Sequence, residues 1–185
     1  MVILKILSLG LISNRLYHCG ERFELLRLSF CFFRSVKEAI ANASQQRWAE
    51  VDGAQVAYAI GSPNEITEDT DEVAREFYDF YRTIRGEWTP EGWQRNQTTH
   101  RTLTSNVKFL NFYPFNDIET ISPRPLLIVS GDESHSREFS ETAYRKADNP
   151  KELYWVPGAN HTDLYDRIEL IPFDKLGDFF RENLN

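Results

Sequence analysis

Two short loops in this 185-residue chain carry the residue types that could do chemistry. The first is Gly131-Asp132-Glu133-Ser134-His135-Ser136, and the second is Gly158-Ala159-Asn160-His161-Thr162-Asp163. An acid in one loop and a histidine in the other are the parts of a general-base device. The carboxylate holds the imidazole in one tautomer, and the imidazole takes a proton from a hydroxyl or thiol nucleophile. His161 is the candidate base, and Asp132 and Glu133 are both open as the acid. The same residues also fit a structural role. In that reading both acids cap a helix beginning near Ser136, and His161 is a strand-end histidine bonded within a turn. His135 reads as a loop residue, and Asp163 and Asp166 as supports for the turn and the helix after it.

Each loop needs a strand in front of it. Residues 125–130 (PLLIVS) form a short continuous apolar run ending at Gly131, the pattern of a strand buried on both faces. Residues 151–156 (KELYWV) predict a second strand, closed by Pro157-Gly158. A helix is expected over 136–147, and another over 172–184, where proline opens the helix and Phe173, Leu176, Phe179, Phe180 and Leu184 share a face. Strand, helix, strand, helix implies parallel pairing with right-handed crossovers. In parallel sheets of that kind, function collects in the loops beyond the carboxyl ends of the strands.

Upstream, the apolar spacing predicts helices over 36–48, 70–81 and 98–112, with Thr70 as the N-cap of the second. Glycine and proline make 51–61 and 86–97 loops, the latter carrying Trp88 and Trp93. Residues 1–35 differ in composition. They hold Lys5, Arg15, Arg22, Arg27 and Arg34 against only Glu21 and Glu24, and both cysteines, in a chain whose net charge is −7. They read either as a strand and helix packed on the body or as a start region foreign to the fold. The chain thus divides into an atypical segment 1–35, a helical region 36–120 and an α/β unit 121–185.

Composition narrows the field. A hydrophobic share of 41% and a charged share of 26% are those of a globular domain. The negative net charge argues against nucleic acid as a partner, because phosphates call for a basic face. No apolar run reaches the roughly 18 residues of a membrane span, so no membrane partner is expected. Residues 1–12 are apolar but lack a charged leader and a small-residue cleavage site, so a cytoplasmic protein is expected. Two cysteines form no disulfide framework, and His18, His100, His135 and His161 show no ligand spacing, so neither metal nor other cofactor is expected.

Ile121-Ser-Pro-Arg-Pro-Leu-Leu-Ile-Val-Ser-Gly-Asp-Glu-Ser-His135 resembles the segment bearing the triad acid in α/β-hydrolases. Lys151-Glu-Leu-Tyr-Trp-Val-Pro-Gly-Ala-Asn-His161-Thr-Asp-Leu-Tyr-Asp166 resembles the segment bearing their histidine. With Gln46-Arg-Trp-Ala-Glu50 and Asn111-Phe-Tyr-Pro-Phe115, the likeness is to the branch related to dienelactone hydrolases and small esterases, over residues 36–185. The resemblance implies an α/β fold representing the C-terminal part of an α/β-hydrolase. It would have a few-stranded parallel sheet, flanking helices and a helical cap, with a small acyl or ester substrate. His161 matches the triad histidine. The family's aspartate falls at Ser134 here, with acids at 132 and 133 instead.

The family's nucleophile elbow, Gly-x-Ser-x-Gly or its cysteine form, occurs nowhere in the chain. Gly61-Ser62-Pro63 fails because proline follows the serine, and Cys19-Gly20 lacks the preceding glycine. The expectation is therefore an acyl or ester hydrolase by descent, truncated and without its nucleophile. The alternative is a non-catalytic fragment that binds a ligand or self-associates through an exposed sheet edge.

Overall fold

A computed structural model describes the backbone of residues 2–4 and 25–184 and the side chains of residues 36–184. The expectations placed on residues 5–24, including Cys19 and most of the apolar start, lie outside the described residues. The elements run in the order β1 (Val2–Leu4), α1 (Leu25–Val51), β2 (Tyr58–Ala59), α2 (Glu72–Tyr81), β3 (Arg101–Thr102) and α3 (Asn106–Phe109). They continue with β4 (Leu126–Gly131), α4 (Arg137–Lys146), β5 (Lys151–Val156), α5 (Asp163–Asp166) and α6 (Phe173–Asn183). The chain forms two compact units, one from 114–185 with the N-terminal strand and the other ending at Tyr113.

The first unit is a three-stranded parallel sheet in the order β1-β4-β5. β4 is central, which is why its sequence is apolar without alternation: both faces are covered, and Leu126, Leu127 and Ile128 are at most 1% exposed. In register, Leu126 lies opposite Lys151 and Gly131 opposite Val156, so the two strands end side by side. Helix α4 meets the sheet through small residues. Ser140 and Ala143 are buried, and Ala143 and Ala147 join Ile118, Leu126 and Ile128 in one apolar cluster. The α4 C-terminus is capped by the first residue of β5, because Lys151 Nζ donates to the carbonyls of Tyr144 (2.7 Å) and Ala147 (2.5 Å). A Lys175–Glu152 ion pair at 2.6 Å joins α6 to β5. The strands and helices expected after residue 121 thus form within a residue or two of their predicted ends.

In the second unit α1 continues three residues past the predicted stretch and stops at a glycine. Gly53 adopts φ +95°, its amide donates to Glu50 O (3.1 Å), and that of Ala54 donates to Ala49 O (2.9 Å). These are the two bonds of a Schellman termination. Helix α2 starts from Asp71 rather than Thr70. The Asp71 carboxylate accepts from Ala74 N (2.9 Å), while the Thr70 hydroxyl accepts from Thr67 N one turn earlier (2.8 Å). The helix predicted over 98–112 survives only as a 3-10 turn over Leu103–Ser105 that runs into α3. Its early residues are hydroxyl-bearing and bond locally. Ser105 Oγ donates to Thr102 O (2.7 Å), Thr98 Oγ1 to Arg95 O (2.7 Å), and Arg101-Thr102 pairs with β2 instead.

Buried Arg82 organises the loops of this unit without a carboxylate. Its guanidinium donates to Asn64 Oδ1 (3.0 Å), Thr98 Oγ1 (3.0 Å), Thr98 O (2.8 Å) and Ser62 O (3.3 Å). Burial, and then the charge of Arg95, lower its pKa from the ordinary arginine value.

Leu127 fills the centre of the sheet at 0% exposure. Leu127→Ala is expected to lower the unfolding free energy by about 2–5 kcal/mol in urea titrations followed by circular dichroism. Ile84→Ala, on an exposed side chain, should stay within about 0.5 kcal/mol.

Candidate functional site

Because β4 and β5 are parallel and in register to their last residues, the loops after them leave the same edge of the sheet. They are joined more tightly than any side chain would allow. A Cβ on Gly131 would stand 1.9 Å from the carbonyl oxygen of Ala159, so only glycine permits this approach. Three hydrogen bonds complete the junction. Asp132 N donates to Val156 O (3.1 Å), Glu133 N to Ala159 O (3.2 Å), and Gly158 N to the Asp132 carboxylate (2.7 Å). The last of these holds Gly158 at φ +66° in the turn that leads to His161.

His161 is buried at 6% exposure, and both ring nitrogens meet hydroxyls. Nδ1 lies 2.9 Å from Ser136 Oγ, and Nε2 lies 2.7 Å from Tyr165 Oη. Ser136 Oγ is in turn 2.8 Å from Ser134 Oγ, and both serines are buried. The Ser136 hydroxyl therefore faces the imidazole, although it stands at the N-cap position of α4 and makes no capping bond there. The His135 ring lies 5.0 Å from that of His161, and the Tyr165 ring packs edge-on at 5.4 Å. Asp163 braces the turn: its carboxylate accepts from Asn160 N (3.0 Å) and pairs with Arg167 (2.8 Å).

The structure thus brings Asp132 and His161 into adjoining loops, with the Asp132 carboxylate engaged by Gly158 rather than by the imidazole. Glu133 is exposed, and its carboxylate makes no hydrogen bond or ion pair among the described residues. Residue typing alone does not pick out Ser136 and Tyr165 as the imidazole's neighbours. For Tyr165 a signal exists, since it lies four residues after His161, a spacing that brings side chains together across a helical turn. For Ser134 the signal is its place where the family carries aspartate.

A cavity of about 10 Å³ lies between the serines and His161, bounded also by Val129, Ser140 and Leu164. It has the size of one water and no more. Ser134 and Ser136 are both buried beside it. Among the described residues, no group of three or more histidine, cysteine or acidic side chains is placed to hold a metal ion. Nor is any helix there long and apolar enough to cross a membrane.

Comparison with known proteins bears on the fold. No family model matches the chain. The chain is 42% identical over 140 residues to the uncharacterized protein PA2218 of Pseudomonas aeruginosa, covering 76% of itself and 37% of that protein. It is 26% identical over 145 residues to the uncharacterized protein YcjY of Escherichia coli K12, covering 45% of it. The crystal structure of PA2218 superposes with a TM-score of 0.68 at 39% identity, over 80% of this chain and 44% of that one. The α/β hydrolase GrgF from Penicillium sp. sh18 superposes with a TM-score of 0.59 at 19% identity, over 82% and 51%. The fold is therefore α/β, part of the α/β-hydrolase fold. The chain spans less than half the length of the curated relatives it matches.

Asp132→Ala removes the acceptor of the Gly158 amide. Hydrogen exchange at Gly158 should become faster and stability fall by about 1 kcal/mol in thermal melts. An unchanged exchange rate would contradict the loop-holding role.

Proposed function

We propose that this chain carries the histidine arm of an acyl or ester hydrolase of the kind related to dienelactone hydrolases and small esterases. The observation that supports the reading is His161 itself, buried at the carboxyl edge of a parallel sheet with Nδ1 held by a hydroxyl. In the proposed step a serine or cysteine nucleophile forms a bond to the substrate carbonyl carbon while its proton passes to His161 Nε2. Collapse of the tetrahedral intermediate breaks the bond to the leaving group, which takes that proton, and water repeats the sequence on the acyl-enzyme. No elbow pentapeptide marks the nucleophile among these 185 residues. Ser136, backed by Ser134, orients the imidazole, and Asp132 positions the loop that carries it. Two cysteines without a disulfide framework fit a reducing, cytoplasmic setting.

The Tyr165 hydroxyl occupies the one in-plane direction that Nε2 offers, so it must swing aside before the base can act. That contact, with the missing elbow, favours a second reading in which the chain is non-catalytic, binding a ligand or pairing the edge of its short sheet with another copy.

Hydrolysis of p-nitrophenyl acetate separates the two. A catalytic His161 predicts that His161→Ala reduces turnover at least about 100-fold, while Tyr165→Phe leaves it equal or raises it. Equal rates in wild type and His161→Ala would remove the catalytic role. Stoichiometric labelling of the chain by a serine-reactive fluorophosphonate would rule out the non-catalytic reading.

A further inference from the structure

The second unit holds a cleft of about 530 Å³, within the range of small-molecule sites. Its walls include Tyr81, Trp88, Pro90 and Trp93, and its remaining border runs through 97–101. The walls are fixed. Tyr81 packs edge-on against Phe80 at 4.9 Å, and a Cβ on Gly86 would stand 2.4 Å from the Phe80 ring. Arg82 pins the backbone around Thr98, and Thr99 is held at φ +71°, a left-handed conformation that β-branched residues rarely adopt. Strained residues of this sort gather at binding sites. Inside these fixed walls, Trp88 and Trp93 remain 74% and 52% exposed, a large indole surface for one cleft to leave to water.

Charge sets the cleft apart from the rest of the chain. The chain has 28 acidic residues, yet none lines this cleft, which borders instead on His100 and Arg101. Four arginines lie in this part of the unit, and three are engaged, Arg85 by an ion pair with Asp79. Arg82 donates to carbonyl, amide and hydroxyl oxygens, and Arg95 bonds Glu87 (3.0 Å) and Arg82 O (2.8 Å). His100 Nε2 lies 3.3 Å from Ser62 O. Arg101 differs. Its Nε donates to Asn106 Oδ1 (2.9 Å) and its guanidinium lies over the Phe109 ring (5.3 Å). Its two terminal nitrogens make no hydrogen bond or ion pair among the described residues. Burial lowers its pKa from the ordinary arginine value.

We propose that this cleft binds an aromatic monocarboxylate, with the ring against Trp88 and Trp93 and the carboxylate on the terminal nitrogens of Arg101. A guanidinium with two free parallel N–H donors matches a carboxylate bidentately. The indole faces supply stacking area for a flat ring. Binding there needs no hydrolytic activity.

Calorimetric titration of the full chain with 2-naphthoate, 2-naphthylmethanol and hexanoate tests it. Naphthoate is expected to bind at least about tenfold more tightly than either of the others. Arg101→Met should bring naphthoate down to the affinity of the alcohol, and Trp93→Ala should weaken both aromatic ligands at least about fivefold. Equal affinity for acid and alcohol in the wild type would overturn the carboxylate site whatever the variants do. Equal affinity for naphthoate and hexanoate would overturn the aromatic one. Absence of naphthoate binding, or unchanged binding in a folded Arg101→Met, would overturn both.

Discussion

The approach of Gly131 to the carbonyl of Ala159 is the constraint on which the candidate site depends. Two parallel strands ending in register still leave their loops free to diverge. Here the missing Cβ lets the backbone after β4 pass directly beneath the backbone after β5. The bonds from Asp132, Glu133 and Gly158 can then form. Ser136 and His161, 25 residues apart in sequence, are brought to 2.9 Å as a consequence.

Above that junction the chemistry is one of hydroxyls. A triad carboxylate both orients the imidazole and stabilises its positive charge. A serine hydroxyl does the first and only weakly the second. The pair Ser134–Ser136 therefore supplies geometry more than electrostatics, and the acids of the loop serve elsewhere: Asp132 in the turn, Asp163 on Asn160 and Arg167. The second unit has its own logic. A buried arginine satisfied by neutral oxygens sets loops around an aromatic cleft bordered by Arg101, whose terminal nitrogens have no partner among the described residues.

Much of the first unit was legible in the sequence because its signals are local and agree with one another. An unbroken apolar run ending in glycine is a central parallel strand, and a proline-led amphipathic stretch is a terminal helix. Over 98–112 the leucine and valine spacing suggests a helix, while threonine and serine hydroxyls bond the nearby backbone instead. Within the site, the two loops and their chain order could be read from residue types. Which side chain meets His161 could not, because a one-residue offset in a loop decides whether Asp132, Ser134 or Ser136 faces the ring. That offset is set by the Gly131 approach, which involves a residue 28 positions away.

Ser136, and not Asp132, holds the His161 imidazole. Long-range proton–nitrogen NMR of the imidazole nitrogens in wild type, Ser136→Ala and Asp132→Asn reads this directly. Ser136→Ala is expected to shift the Nδ1 resonance and change the tautomer balance, while Asp132→Asn, which can still accept from Gly158, should leave both as in wild type. An unchanged Nδ1 in Ser136→Ala with a shifted one in Asp132→Asn would contradict it.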